Sequence, residues 1–247
     1  MRHVMRNPRV TALARDSRLM AMAQEVLGRA ALPFRATLFD KSRTSNWLVV
    51  WHQDTALPLC ERREVPGWGP WSIKHGVNYA HAPASALEQV LALRLHLDDS
   101  IAENGPLRVL PGTHSLGVLS DEALRDLSIQ IEAIDCTVPR GGILAMRPLV
   151  VHSSSKSQSN VPRRVLHMEY AASLVFNQGL HWRWCKRKLT RSLFWTFLVL
   201  SFLLFRSPQA GANIPKSENT LAIRVDPSVK IEELPVRLSK TSGRGRG

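Results

Sequence analysis

Cysteine is scarce in this sequence, and its spacing carries no cross-linking pattern. The 247 residues include three cysteines, Cys60, Cys136 and Cys185, and no CxxC motif. An odd and widely spaced set argues against a disulfide-stapled fold and against a cysteine zinc site. The chain also shows no internal repeat. With 44% hydrophobic and 21% charged residues, its composition is that of a globular protein.

Long apolar segments are lacking as well. The first 15 residues carry positive charge but no apolar core of signal-peptide length, which predicts a cytoplasmic protein. The longest apolar segment, residues 193–205, lies between Arg191 and Arg206. As a helix it would reach about 20 Å, whereas a bilayer core measures about 30 Å. We therefore expect a buried or interfacial helix there rather than a transmembrane one.

Acidic residues are few, and their deficit is uneven. The net charge is +13, and residues 182–247 hold 13 Lys/Arg against 4 Asp/Glu, whereas residues 1–181 hold 20 against 16. This contrast predicts one domain over 1–181, with an ordinary charge and no nucleic-acid partner, and a basic, partly disordered extension over 182–247. Weak association with an anionic membrane is the interaction that the charge of the extension favours. The sequence leaves the oligomeric state open.

Apolar periodicity predicts a mainly β chain. A helix is expected over residues 9–31, with Gly28 as its stop, and a shorter helix over 120–134. The Trp-, Gly- and Pro-rich stretch 61–86 reads as a long ordered loop. Strands are expected within 35–54, 87–99, 104–114, 141–152 and 163–174. Many short strands separated by turn residues favour a sandwich or barrel over a parallel sheet.

A histidine and an aspartate end one of these strands. In NWLVVWHQD (46–54), His52 and Asp54 share a strand face with apolar residues, and their desolvation needs a compensating partner such as a metal ion. His152 lies at the end of a later strand and can supply a third ligand. Two histidines and one carboxylate that leave coordination positions open are typical of non-haem Fe(II) oxygenases. We treat the mid-strand His96 and His167 as structural.

Two arginines follow the distal histidine. Arg163 and Arg164 begin the next strand, and a planar guanidinium suits the distal carboxylate of 2-oxoglutarate. Alternation groups Arg163 with His167 and Glu169, and Arg164 with apolar and aromatic residues. Neither face is cleanly apolar, so alternation does not choose between the two arginines.

Six segments together resemble the phytanoyl-CoA dioxygenase family of Fe(II)/2-oxoglutarate oxygenases. They span residues 35–174 in family order and read LFDK, NWLVVWHQD, LRLHLDD, NGPLRVLPGTHSLG, GGILAMRPLVVHSSS and RRVLHMEYA. The resemblance implies a double-stranded β-helix, or jelly roll, with flanking helices. It also implies Fe(II), 2-oxoglutarate and O2 as cofactor and co-substrates, with His52, Asp54 and His152 as the iron ligands.

The resemblance also assigns residues to the co-substrate. The family spacing of eleven positions after the distal histidine selects Arg163, and Ser154 matches a serine that assists the same carboxylate. Lys74 and Gln53 match two further contacts, although strict alternation turns Gln53 away from His52. Relative to the family the chain is N-terminally short, and the extension over 182–247 has no counterpart.

The function that this resemblance implies is hydroxylation of a small organic molecule, with release of succinate and CO2. Hydroxylation is expected because Asp54 is present, whereas halogenating relatives lack that carboxylate. The alternative is a non-catalytic or truncated jelly-roll binding protein, membrane-associated through its basic tail. A cupin-like dioxygenase without 2-oxoglutarate is disfavoured by the arginine. The sequence does not name the substrate.

Overall fold

The computed structural model describes residues 1–176 and 180–182. Most of its regular structure is β, as predicted. The helices are α1 (Pro8–Ala14), α2 (Ser17–Leu27), α3 (Ala84–Leu87) and α4 (Asp121–Gln130). The strands are β1 (Leu32–Lys41), β2 (Val49–His52), β3 (Ala56–Leu59), β4 (Trp71–Lys74), β5 (Val77–His81), β6 (Val90–His96), β7 (Leu107–Val109), β8 (Ile134–Cys136), β9 (Ile143–Met146), β10 (His152–Ser154) and β11 (Arg163–Ala171).

The single helix expected over residues 9–31 is two helices. The chain breaks at Asp16, whose carboxylate accepts a hydrogen bond from the Arg18 backbone N–H and so begins α2. Gly28 ends α2 in the left-handed region, with φ +66°, which confirms the predicted stop. The second predicted helix is α4, and the Ser120 hydroxyl caps it by accepting from the Ala123 N–H.

A four-stranded antiparallel sheet, which we call the large sheet, has the strand order β1-β11-β6-β9. Its outer face is apolar and packs against α1 and α2. Leu91, Leu93 and Leu95 of β6 lie in this layer, as their alternation predicted, together with Leu13 and Leu19 of the helices. Burial of this layer holds the helices on the sheet, because apolar area removed from water is the main favourable term in folding.

A second four-stranded sheet, the small sheet, has the order β2-β10-β7-β8 and covers the inner face of the large sheet. Side chains of both sheets meet between them: Ala92 and Met146 from the large sheet, Leu107 and Val109 from the small one. The space between the two sheets is the barrel interior. Each strand of the large sheet therefore has one face toward the helices and one toward this interior.

A third sheet, which we call the end sheet, has the strand order β3-β5-β4. Strands β4 and β5 lie within residues 61–86, which the sequence predicted to be a loop, and β3 precedes them. That expectation over 61–86 is wrong in part, because the β4–β5 hairpin is completed by pairing with β3, which precedes the stretch. Behind it Phe34 and Phe176 pack against Trp182, which is fully buried. Trp182 lies one residue beyond the boundary predicted at 181, so the packed unit includes it.

Across residues 1–176 and 180–182, no helix is long and apolar enough to cross a membrane. The apolar segment 193–205, its expected helix and the expected disorder and membrane association of the basic tail lie outside the described residues.

Candidate active site

The two histidines of the predicted metal site face each other across neighbouring strands. His52 on β2 is paired with His152 on β10, and their ring centroids lie 4.2 Å apart. The expectation of a buried apolar strand over 46–54 is wrong, since β2 has four residues and Leu48 and Val50 are exposed. The physical reason is its place at the edge of the small sheet, where no strand of the described part of the chain pairs with its outer side.

A β-bulge shapes the chain beside the histidines. The pairing of β2 with β10 shifts register between His152 and Ser154, since His152 pairs with His52 but Ser154 pairs with Val49. Such bulges redirect side chains and are common next to active sites. Asp54 lies two residues after His52, just beyond the end of β2. Its backbone N–H donates to the Pro148 carbonyl at 2.9 Å, and this hydrogen bond holds the carboxylate beside both rings.

The donor atoms of His52, Asp54 and His152 converge. The Nε2 atoms of His52 and His152 lie 3.8 and 3.7 Å from the two Asp54 carboxylate oxygens, and one ligand atom from each residue falls within 4.8 Å of the others. The Nδ1 atoms lie 2.9 Å from the carbonyls of Val50 and Val150. A carbonyl only accepts, so each proton lies on Nδ1 and leaves the Nε2 lone pair free for a metal. This donor set fits Fe(II) with open coordination positions.

The protonation states also suit a metal. Desolvation, the largest cause, lowers the pKa of His152 to about 4, so its ring is neutral near pH 7. Desolvation alone would raise the pKa of Asp54, but its electrostatic interactions with His152, His167 and Arg35 outweigh desolvation and hold that pKa well below its usual range. A neutral imidazole and an ionised carboxylate are the forms that bind a metal.

Two residues beyond His152 on β10, a second cluster forms around Ser154. Its hydroxyl donates to the Gly105 carbonyl at 2.9 Å and accepts from Lys41 Nζ at 2.8 Å. The same oxygen lies 3.3 Å from Nη2 of Arg163, whose Nε points at the Asn104 carbonyl. Two cations therefore share one hydroxyl at the end of the barrel interior.

Neither cation of this cluster has a carboxylate partner among the described residues. Lys41 is 1% exposed and Arg163 4%. Desolvation is the main cause that lowers the pKa of Lys41 to about 8 and that of Arg163 to about 10, with a neighbouring arginine second in each case. Arg164 differs, because it is exposed and forms a two-pronged ion pair with Asp98. The structure thus separates the two arginines that alternation left unresolved.

The structure does not bring Gln53 to the Ser154 cluster. Its amide donates to the Gly117 and Leu149 carbonyls and accepts from the Leu119 N–H, so it braces two loops behind the metal site. This placement follows the alternation along the strand, which turns Gln53 away from its neighbour His52.

Lys74 is also elsewhere. It lies on β4 of the end sheet, with its Nζ 5.4 Å from the centroid of the Tyr79 ring. The end sheet abuts the Arg35 end of β1, through a hydrogen bond from Arg35 to the Ala56 carbonyl. Lys41, at the other end of the same strand, is the lysine that donates to Ser154.

Lys41 is the member of the Ser154 cluster that the sequence pattern did not single out. It belongs to the LFDK segment that carries the family resemblance, and a lysine at the buried end of an apolar strand was the available signal. Gly105 gives it room: this residue has φ +67°, and a Cβ here would collide with the Ser155 carbonyl and approach Lys41 Nζ to 3.2 Å. The predicted NGP turn is thus part of the cluster.

The inner face of the large sheet carries a further polar network. Arg35 forms a two-pronged ion pair with Glu169, whose carboxylate lies 3.8 Å from Nε2 of His167. Nδ1 of His167 lies 3.0 Å from Nη1 of Arg94. His96, on the same face, is 1% exposed. These side chains line the barrel interior opposite the metal site.

The family follows from a comparison with known proteins. The model of the phytanoyl-CoA dioxygenase (PhyH) family matches residues 1–165, about two thirds of the sequence. The chain belongs to this family. The matched range contains His52, Asp54, His152 and Arg163.

Individual relatives agree with this membership. The L-proline trans-4-hydroxylase of Streptomyces griseoviridis is 24% identical over 184 residues, which are 64% of this chain and 61% of that protein. EctD from S. alaskensis, solved with 2-oxoglutarate and 5-hydroxyectoine, has a TM-score of 0.51 and 21% identity over 69% of this chain and 54% of its own. The epimerase SnoN from nogalamycin biosynthesis has a TM-score of 0.52 and 17% identity over 70% and 61%.

These likenesses confirm the predicted jelly-roll fold. The chain spans about 61% of the length of the proline hydroxylase and 54–61% of the two solved relatives described.

Proposed function

We propose that this chain is an Fe(II)- and 2-oxoglutarate-dependent dioxygenase that hydroxylates a small organic molecule. The observation that carries the proposal is the pairing of two incomplete sites in one barrel interior. One is a His-Asp-His set with free donor atoms, and the other is a buried pair of cations that has no carboxylate partner within residues 1–176 and 180–182. They are separated by two residues of β10, roughly 7 Å along a strand.

The Lys41–Ser154–Arg163 cluster calls for an anion. Burying an unpaired charge is costly, and such groups in proteins are normally paired. A dicarboxylate such as 2-oxoglutarate would satisfy both the unpaired cations and the open metal site. One carboxylate would accept hydrogen bonds from Lys41 and Arg163, and the keto-acid end would reach the metal site. Ser154, already held by Gly105, fixes the direction of the two cationic donors.

The side chains of the metal site have separate roles. The Nε2 atoms of His52 and His152 and the Asp54 carboxylate would hold the iron, and the two histidine Nδ1–H groups keep both rings oriented. When bound, Fe(II) supplies the O2 activation that couples decarboxylation of 2-oxoglutarate to succinate and CO2 with oxidation of the substrate. Asp54 is half-exposed, with 32% of its side chain accessible, so the metal site opens toward solvent on the side where a substrate can enter.

An anaerobic titration tests the proposal without knowledge of the substrate. We expect the purified chain with Fe(II) to develop the weak visible charge-transfer band of the chelate when 2-oxoglutarate is added. His52→Ala, Asp54→Ala and His152→Ala should each abolish the band and any uncoupled succinate production. Arg164→Ala is the matched control and should leave the band unchanged. A wild-type chain that gives no band contradicts the proposal.

The substrate class is the finer part of the proposal. A relative is named as a hydroxylase of L-proline, so free L-proline is the first compound to test, with detection of a product heavier by one oxygen atom. Turnover with stoichiometric succinate would assign an amino-acid substrate. Succinate release that does not respond to L-proline would direct the search to other small molecules.

A further inference from the structure

Three buried side chains of the barrel interior have nitrogen atoms without a hydrogen-bond partner. These atoms are Nε of Arg94, both ring nitrogens of His96, and Nη1 of Arg163. The three residues are 5%, 1% and 4% exposed. Buried polar groups are nearly always hydrogen-bonded, so an unpartnered set of this kind needs an explanation.

The strand register places all three on one face. His96 on β6 pairs with Val165 on β11, two residues from Arg163, and Arg94 on β6 pairs with His167. Residues two apart on a strand point the same way, so Arg94, His96 and Arg163 all face the barrel interior. The unpartnered nitrogens therefore border one shared space rather than three separate ones.

Arg94 is held firmly by its neighbour. A guanidinium only donates, so Nδ1 of His167 must accept its hydrogen bond, which leaves the His167 proton on Nε2, facing Glu169. Glu169 is already engaged by both prongs of Arg35. Arg94 thus reaches a carboxylate only through the His167 ring, and its own charge has no direct ion-pair partner among residues 1–176 and 180–182.

The strand register orders these residues along the barrel interior. His96 pairs with Val165, next to the Arg163 end, and Arg94 pairs with His167, two residues farther along. After desolvation, the charge of Arg94 is the second cause that lowers the pKa of Arg163. It also acts on His96, whose pKa falls to about 3 mainly through desolvation, so His96 is neutral. A ligand that extends from Arg163 along this face of the strands meets His96 first and Arg94 next.

We propose that Arg94 and His96 are additional 2-oxoglutarate contacts, with the Arg94 guanidinium at the keto-acid end and the neutral His96 along the chain between the two carboxylates. This inference rests on the function proposed above and names residues of the same site. Each carboxylate of the co-substrate then has a protein cation of its own. His167 is a positioning residue, because it acts only by orienting Arg94.

The interior charges support a ligand with two negative charges. Among the groups described here, Arg35 is neutralised by Glu169, and Asp54 belongs to the metal site. Lys41, Arg94 and Arg163 remain without carboxylates. One carboxylate placed at Lys41 and Arg163 would leave Arg94 uncompensated, and a second carboxylate near the metal removes that deficit.

The test compares 2-oxoglutarate with pyruvate, which keeps the keto-acid end but lacks the distal carboxylate. Binding of each to the Fe(II)-loaded chain is measured anaerobically from the chelate band. Arg94→Met should weaken both ligands by a similar factor of about 10- to 100-fold, because loss of a charge-assisted hydrogen bond has that effect on affinity. Arg163→Met should weaken 2-oxoglutarate but leave pyruvate nearly unchanged.

The band itself supplies a second readout. Arg94→Met should shift its wavelength, since the guanidinium is placed beside the chelating end, whereas Arg163→Met should lower occupancy at an unchanged wavelength. Arg94→Lys, which keeps the charge, should recover part of the lost affinity for both ligands. His96→Leu should weaken 2-oxoglutarate several-fold, and Arg164→Met is the matched control. Thermal melting of each variant shows which of them retain the fold.

Three results would overturn the inference while leaving the proposed function intact. They are wild-type affinity for 2-oxoglutarate in a folded Arg94→Met variant, an effect of Arg94→Met on 2-oxoglutarate but not on pyruvate, and an unchanged band in a folded Arg94→Met variant. Failure of the wild-type chain to bind 2-oxoglutarate at all would instead overturn the proposed function.

Discussion

The two faces of the large sheet are built from the same strands and differ in almost every other respect. The outer face carries leucines, Met168 and Tyr170 against the helices. The inner face carries Arg35, Arg94 and His167, whose side chains point into the barrel, beside apolar residues such as Ala92 and Met146. A protein core normally excludes polar groups of this kind. The outer face packs against the helices, and the buried polar groups of the inner face are the ones on which the proposed binding site rests.

The largest expected effect on 2-oxoglutarate binding comes from a change at Arg163, which lies on the inner face. Arg163→Ala should weaken 2-oxoglutarate binding by about 2–5 kcal/mol, roughly 30- to several-thousand-fold, because it removes one partner of a buried charge pair. Anaerobic titration measures the change. Arg164→Ala, one residue away on the exposed side, should have far less effect. The reverse order of the two variants would show that the wrong arginine has been assigned.

The complementary change is at Leu93 on the outer face. Leu93→Ala should lower the free energy of unfolding by about 2–5 kcal/mol, because it leaves a cavity between the sheet and α2. Leu93 is 1% exposed, so little relaxation is available to it. Urea denaturation measures the loss. The folded variant should bind 2-oxoglutarate with wild-type affinity, and a large loss of affinity would show that the two faces are not independent.

A pH titration sharpens the assignment of Lys41. Desolvation, with Arg163 as the second cause, lowers its pKa to about 8, so the free protein loses this charge as the pH rises above about 8. A bound carboxylate favours the charged lysine, and binding above that pH therefore requires uptake of a proton. Affinity for 2-oxoglutarate should fall between pH 7 and pH 9, by at most about tenfold per pH unit.

Two variants test whether Lys41 causes this pH dependence. Lys41→Arg should keep most of the affinity and lose the pH dependence, since an arginine stays protonated. Lys41→Met should bind weakly at every pH in this range. A decline with pH that persists unchanged in Lys41→Arg would assign the titration to another group.

The smallest expected effect concerns a polar anchor of the outer face. The Tyr170 hydroxyl donates to the Ala14 carbonyl at 3.0 Å and ties β11 to the end of α1. Tyr170→Phe should lower the free energy of unfolding by about 1 kcal/mol, the net value of an ordinary hydrogen bond. Binding of 2-oxoglutarate should not change. A loss as large as that of Leu93→Ala would mean that the anchor organises the whole helical layer.

Local sequence signals predicted much of the fold and part of the candidate site. Ser120 and Gly28 mark helix ends through their own side chain and backbone freedom, and the alternating leucines of β6 reveal which of its faces is apolar. The HxD motif and the spacing to Arg163 select residues that the structure places around one interior. Each of these signals lies within a short stretch of chain, which is why it is readable without the fold.

The incorrect predictions concern regions where segments far apart in the sequence pair with each other. The Trp-rich stretch contains a hairpin because β3 pairs with β5 from outside the stretch. The strand that ends at His52 is short and exposed because it lies at a sheet edge. Alternation could show that His96 lies on the face of its strand opposite the leucines, but not whether that face meets solvent, apolar packing or a ligand.

By itself, the sequence determined the His52, Asp54, His152 and Arg163 candidates, the apolar face of β6 and the family to which the chain is similar. The tertiary structure alone decided that Lys41, rather than Lys74, joins Ser154 and Arg163, and that Arg94 and His96 border the same interior. The physical reason is that β1 and β11 pair across more than 120 residues of chain. That register places Lys41 beside Arg163, and no local preference of either segment specifies it.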